Sequence, residues 1–127
     1  MTEVVLDSSA IIANINGEPG GDVVASLLDG SLVSSISFAE VLTKLMTAGM
    51  PEGDAVLAAS QSGCRFVDTD QEQATSAGVI HASSRDVGIS MADAFCLALA
   101  KVRGCPVMTA DRAWMRLKLG VEVRLIR

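Results

Sequence analysis

The sequence predicts an α/β fold, a three-layer α/β/α sandwich in which helices cover both faces of a parallel sheet. Three observations carry this. Short apolar runs of strand length alternate along the chain with stretches whose apolar residues recur every three to four positions. Such alternation builds a parallel sheet, because a strand that returns beside its predecessor needs a crossover helix. The 127 residues suffice for one domain, spanning 1–127, with a proper core. Half of the residues are hydrophobic and 20% are charged. That is more apolar than one small core requires, so a covered partner surface is expected.

Val4-Val5-Leu6 reads as a buried central strand. Asp7-Ser8-Ser9 ends it, and Ala10-Ile11-Ile12-Ala13 opens a helix. The turn cluster Gly17-Glu18-Pro19-Gly20-Gly21 follows, then a helix with Val23, Val24, Leu27 and Leu28 on one face, stopped at Gly30. Residues 32–36 read as a strand. Ser37 then caps a helix bearing Phe38, Val41, Leu42, Leu45 and Met46, with Glu40 completing a capping box off the apolar stripe. Pro51-Glu52-Gly53 opens a helix that ends near Gly63, and Arg65-Phe66-Val67 is a short strand. Asp68-Thr69-Asp70 leads into a helix through Gln73, Ala77, Ile80 and His81. Ser90 and Asp93 form a second capping box, ahead of a helix that closes at Gly104. Pro106-Val107-Met108 is the next strand, Thr109-Ala110-Asp111 starts a short helix, and residues 121–126 make the last strand.

No apolar run reaches membrane-spanning length. Met1-Thr2-Glu3 is not the basic start of a signal peptide, so a cytoplasmic protein is expected. Cys64, Cys96 and Cys105 are odd in number and widely spaced, and His81 is the single histidine. They suit neither a disulfide framework nor a structural zinc site and read as reduced thiols. The net charge of −5 argues against a general nucleic-acid binder. From Lys101 onward, however, seven basic residues face only Asp111 and Glu122. A basic end on an acidic body can meet phosphates locally or simply be a solvated face.

In open parallel sheets, ligands bind beyond the carboxyl ends of the strands. Asp7 and Asp111 directly follow strands, while Glu40 and Asp93 fall in first helical turns, so all four acids are expected along that edge. Each has an ordinary structural reading as an N-cap or part of a capping box. Convergence favours more. Two carboxylates about 4 Å apart repel by roughly 4 kcal/mol at an effective dielectric of 20. Such a cluster must take up protons or a cation, and oxygen ligands without histidine or cysteine prefer magnesium, with manganese the alternative. That combination suits phosphodiester hydrolysis.

Residues 4–10 (V-V-L-D-S-S-A), Ser37-Phe38-Ala39-Glu40-Val41, Met91-Ala92-Asp93-Ala94 and Thr109-Ala110-Asp111-Arg112 together resemble the motifs of the PIN-domain family. The likeness is strongest to the VapC-type toxins of toxin–antitoxin pairs. No single motif is specific; the ordered set, running through essentially the whole chain, is. The resemblance implies a strand order of 3-2-1-4-5 and a magnesium-dependent endoribonuclease. Asp7 and Asp93 would be the main metal ligands, and Glu40 and Asp111 would complete the site through bound waters or by orienting the attacking water. Ser9 resembles the family's hydroxyl beside the first aspartate. Thr109 and Arg112 belong to the fourth motif, Arg112 as a phosphate contact or an ordinary surface arginine. RNA as substrate, a cognate antitoxin and a homodimer complete the expectation. The antitoxin would lay an amphipathic helix in a groove between the early helices.

Two other classes compete. An aspartyl-phosphate phosphatase also carries an acid after its first strand, but its D-x-D pattern is broken here by Ser9. A catalytically silent RNA-binding or regulatory module would keep the fold without the chemistry. Asp68 and Asp70 are assigned to capping, His81 to a packed or surface-satisfied position, Met46, Met50, Met91 and Met108 to packing, and Trp114 to core or interface.

Overall fold

Five strands, β1 (Val4–Leu6), β2 (Ser31–Ser34), β3 (Arg65–Val67), β4 (Val107–Thr109) and β5 (Val123–Leu125), pair in parallel among the described residues. Their order is 3-2-1-4-5, as the resemblance implied. The computed structural model describes residues 3–60 and 63–127. Helices α1 (Ser8–Asn16), α2 (Gly21–Ala25), α3 (Ser35–Thr47) and α4 (Glu52–Ser60) alternate with the first strands. The helices α5 (Gln71–Ser83) and α6 (Met91–Arg103) follow β3, and a short 3₁₀ helix (Arg112–Arg116) links β4 to β5.

Side-chain alternation along β1 shows the three layers directly. Val4 and Leu6 join Val33, Met108 and Ile126 in one core, closed by Ile11, Val24, Val41, Leu45, Ala55 and Ala59 from α1 to α4. Val5 faces the other way with Leu32 and Val107, against Ile80, Leu97, Leu99 and Trp114 on the side of α5 and α6. The central strand is wholly buried. The edges are three residues each and carry exposed Arg65 and Arg124, which blunts them against further pairing. Trp114 is core, and no helix among the described residues is long and apolar enough to cross a membrane.

Two glycines of the turn after α1 are obligatory. At Gly20 (φ +90°) a Cβ would sit 2.3 Å from the carbonyl oxygen of Ile126, and at Gly21 it would sit 2.3 Å from that of Ala13. The close approach brings the start of α2 against α1 and the chain end.

Several boundaries differ from expectation. The helix expected to carry Val23 to Leu28 is only α2, because the Ser26 hydroxyl donates back to the Val23 carbonyl (2.7 Å) and the chain turns into β2. Of its apolar face, Val24 is core, Leu27 and Leu28 pack from the turn, and Val23 stays exposed. The strand expected over 32–36 spans Ser31–Ser34, and Ser34, not Ser37, caps α3 by accepting from Ile36 N (3.2 Å). Ser37 is instead buried inside the helix, so Glu40 lies in the second turn and belongs to no capping box. Four serines stand within seven residues there, and local pattern alone cannot rank them as caps. The final strand keeps only Val123–Leu125, and the helix end expected near Gly63 involves residues 61–62, which lie outside the described residues. Cys96 and Cys105 are free thiols, Cys96 buried and Cys105 half-buried, and Cys64 is half-buried as well.

Candidate active site

Three acids meet where β1, α3 and α6 come together. Asp7, Glu40 and Asp93 each offer a carboxylate oxygen, and these lie within 4.8 Å of one another. Asp7 extends β1, its N–H donating to the Met108 carbonyl at 3.0 Å. It occupies the N-cap position of α1, yet its side chain caps no backbone N–H. It is 4% exposed.

The Asp7 carboxylate is held from one side. Ser9 Oγ (2.7 Å) and Thr109 Oγ1 (2.9 Å) both donate to Oδ2. Each hydroxyl also accepts a backbone N–H from the turn after β4: Ser9 from Ala110, at 2.9 Å, and Thr109 from Asp111, at 3.0 Å. Each has a single proton, committed to Oδ2, so Oδ1 remains available. Burial pushes the Asp7 carboxyl above its ordinary range; the two hydroxyls pull it back, Glu40 raises it and Lys44 lowers it.

Asp93 does two things at once. Ser90 N donates to its Oδ2, and Asp93 N donates to Ser90 Oγ, both at 3.0 Å, so the expected capping box is real. The same residue faces Asp7 and Glu40. Its carboxyl is also raised, first by burial, against the Ser90 hydrogen bond and with the charges of Asp7 and Glu40 adding to the rise.

Glu40 accepts from Ser8 Oγ (2.5 Å), and Lys44 Nζ donates to that same hydroxyl at 2.9 Å. Neither Ser8 nor Lys44 stood out in the sequence. The i,i+4 spacing of Glu40 and Lys44 was the available signal for the lysine. Nothing local marks Ser8, whose partner is 32 residues away. Burial first and the Asp7 charge second push the Cys96 thiol well up, and the clustered donors are carboxylate oxygens.

The fourth acid stands apart from the trio. Asp111 is exposed and caps the 3₁₀ helix, its Oδ1 accepting from Ala113 N at 3.0 Å. Its backbone is nonetheless joined to Asp7 through Thr109. Arg112 is exposed beside it and forms no ion pair among the described residues.

A family model of the PIN domain matches residues 4–119. The chain belongs to the PIN-domain family. No curated protein sequence matches it. Among solved structures, this PIN domain is similar to DNA-bound VapBC from Salmonella typhimurium, with a TM-score of 0.76, 21% identity and all of both chains covered. VapBC2 from Rickettsia felis, bound to a promoter DNA fragment, gives 0.74 at 15% identity over 98% of each chain. A Mycobacterium tuberculosis VapC toxin that cleaves the sarcin–ricin loop gives 0.71 at 15% identity, over 94% of this chain and 98% of that one. At such identities the likeness is one of fold, the PIN-type α/β/α sandwich with a VapC-like outline.

Proposed function

We propose that the chain is a metal-dependent endoribonuclease, one domain over residues 1–127, acting as the toxin of a toxin–antitoxin pair. One observation carries the reading: the buried Asp7 carboxylate serves no helix cap and is turned over to a cluster with Glu40 and Asp93. The donor set fits a hard divalent ion, magnesium or manganese, since it is all carboxylate. Asp7, Asp93 and Glu40 would hold the ion, which when bound supplies positive charge for a phosphoryl oxygen and acidifies water.

The chain's own groups supply the rest. Ser9 and Thr109 keep the Asp7 carboxylate in one orientation. Asp111, at the rim, would orient the attacking water, and the exposed Arg112 next to it would meet the RNA backbone. The phosphatase alternative gains nothing from the site, where position 9 is a hydroxyl that holds Asp7.

The VapBC neighbours are toxin–antitoxin proteins, which supports a cognate antitoxin here. A homodimer, an amphipathic antitoxin helix on the α1–α4 side and a cytoplasmic setting belong to the same reading. On that side Met46, Val56 and Leu57 remain exposed, whereas Val41 and Leu45 are spent in the core. The deciding experiment is cleavage of an RNA in magnesium by the purified chain, with EDTA and Asp93→Asn as controls. Loss of cleavage in both supports the reading. A folded chain that leaves every RNA intact in magnesium or manganese would leave the silent module in its place.

A further inference from the structure

The buried hydroxyl of Ser8 has one proton and two neighbours. Lys44 Nζ lies 2.9 Å from it, and Glu40 Oε1 lies 2.5 Å away. An ammonium has three donors and no acceptor, so Ser8 must accept from Lys44, and its proton is then committed to Glu40. Lys44 and Glu40 sit one turn apart on α3, yet no ion pair within 4.0 Å joins the lysine directly to a carboxylate among the described residues. The lysine therefore acts on Glu40 through a hydroxyl borrowed from α1. A direct pair would compete with an incoming cation for the carboxylate. The relay engages Oε1 and leaves Oε2 without a hydrogen bond among the described residues.

We propose that Lys44 is a positioning residue for the acidic centre: through Ser8 it holds Glu40 beside Asp7 and Asp93 in the arrangement a divalent cation needs. The proposal rests on the reading of that trio as a cation site. It makes a prediction of sign. A lysine that is only a nearby positive charge opposes a second cation, so its removal should tighten metal binding. A lysine that positions a ligand does the reverse.

The test is a titration of the full chain with manganese alone, following the free ion by electron paramagnetic resonance, so that no RNA or turnover enters. Lys44→Met and Ser8→Ala are each expected to weaken manganese binding roughly tenfold, the scale of a lost group behind a ligand. Lys44→Arg keeps a donor-only head and should stay within about twofold of the wild type. The Ser8→Ala, Lys44→Met double variant should bind no more weakly than Ser8→Ala alone, because the two residues form one chain. Tighter or unchanged binding in Lys44→Met overturns the proposal, as does a double variant whose losses multiply. Lys44 is exposed and its variants should fold, so if Ser8→Ala does not, the Met and Arg pair decides the question. Asp7→Asn separates the two levels of inference: if it binds manganese like the wild type, or if the wild type binds none, the cation site itself fails, and the relay with it.

Discussion

The corner between β1 and α1 and the corner between β3 and α5 look alike in sequence, since each places an aspartate after a short strand and before a helix. Their carboxylates have opposite fates. Asp70 accepts from Gln73 N (2.9 Å) and caps α5, while the exposed Asp68 carboxylate takes a 3.4 Å contact from Ser35 Oγ. Asp7 stands in the cap position of α1 and caps nothing. It is buried, with two hydroxyls on one oxygen and two further acids nearby. Burying a carboxylate among other acids is costly even with two hydroxyls donating to it. The carboxylate that satisfies its own helix is finished business, and the one that does not is available to a ligand.

The comparison breaks most visibly at the trio. Asp7→Asn and Asp93→Asn should each lower magnesium-dependent RNA cleavage at least about 100-fold, roughly 2.7 kcal/mol of barrier, with melting temperatures maintained or raised in EDTA. An asparagine oxygen can still accept from Ser90 N, so the α6 cap survives in the second variant. A folded variant that cleaves normally would remove that residue from the ligand set.

The next pair sets the fourth acid against its look-alike. Asp111→Asn should cost at least about tenfold in rate, near 1.4 kcal/mol. Asp68→Asn should cost almost nothing, because β2 separates β3 from β1 and two strand spacings amount to about 10 Å. An Asp111→Asn rate as little changed as that of Asp68→Asn, on one RNA at saturating magnesium, would mean that Asp111 works only as a cap. Asp70→Ala, by contrast, should lower stability by about 1 kcal/mol through the lost α5 cap and leave the cleavage rate unchanged.

The smallest effect is a pH dependence of the metal-free protein. Burial raises the Asp7 and Asp93 carboxyls in the folded state above their ordinary value of 3.8. The folded state therefore binds protons more tightly than the unfolded one. The stability this contributes is fully present below about pH 3.8 and is lost as pH rises through the raised folded values. Denaturant melts in EDTA from pH 4 to 8 should show this decline, and Asp7→Asn should flatten it. An unchanged slope in the variant would mean that Asp7 is ionised as readily folded as unfolded.

How much of this was legible depends on the distance over which each fact is decided. β1 was readable to the residue because three apolar positions end at Asp7, and the α6 capping box because Ser90 and Asp93 are three apart. The start of α3 was misread by three residues, since any of several neighbouring serines offers the same hydroxyl. The strand order came from the ordered motifs and not from local pattern, and it is what separates Asp68 from Asp111. The Ser8 and Lys44 relay was illegible because it joins two helices across 36 residues of sequence. Asp111 stood level with the other acids in the sequence, and only its side-chain placement sets it at the rim.

Ser9 and Thr109 have a consequence away from the chemistry. Their protons go to one oxygen of Asp7, and their lone pairs receive the amides of Ala110 and Asp111. The carboxylate and the turn are thus geared together, and any tug on Asp7 is passed to two specific backbone hydrogens. Those hydrogens would report an ion bound at the proposed centre. Loading the centre should slow deuterium uptake at residues 110 and 111 while the Ser90 amide, on the other side of the trio, reports Asp93 separately.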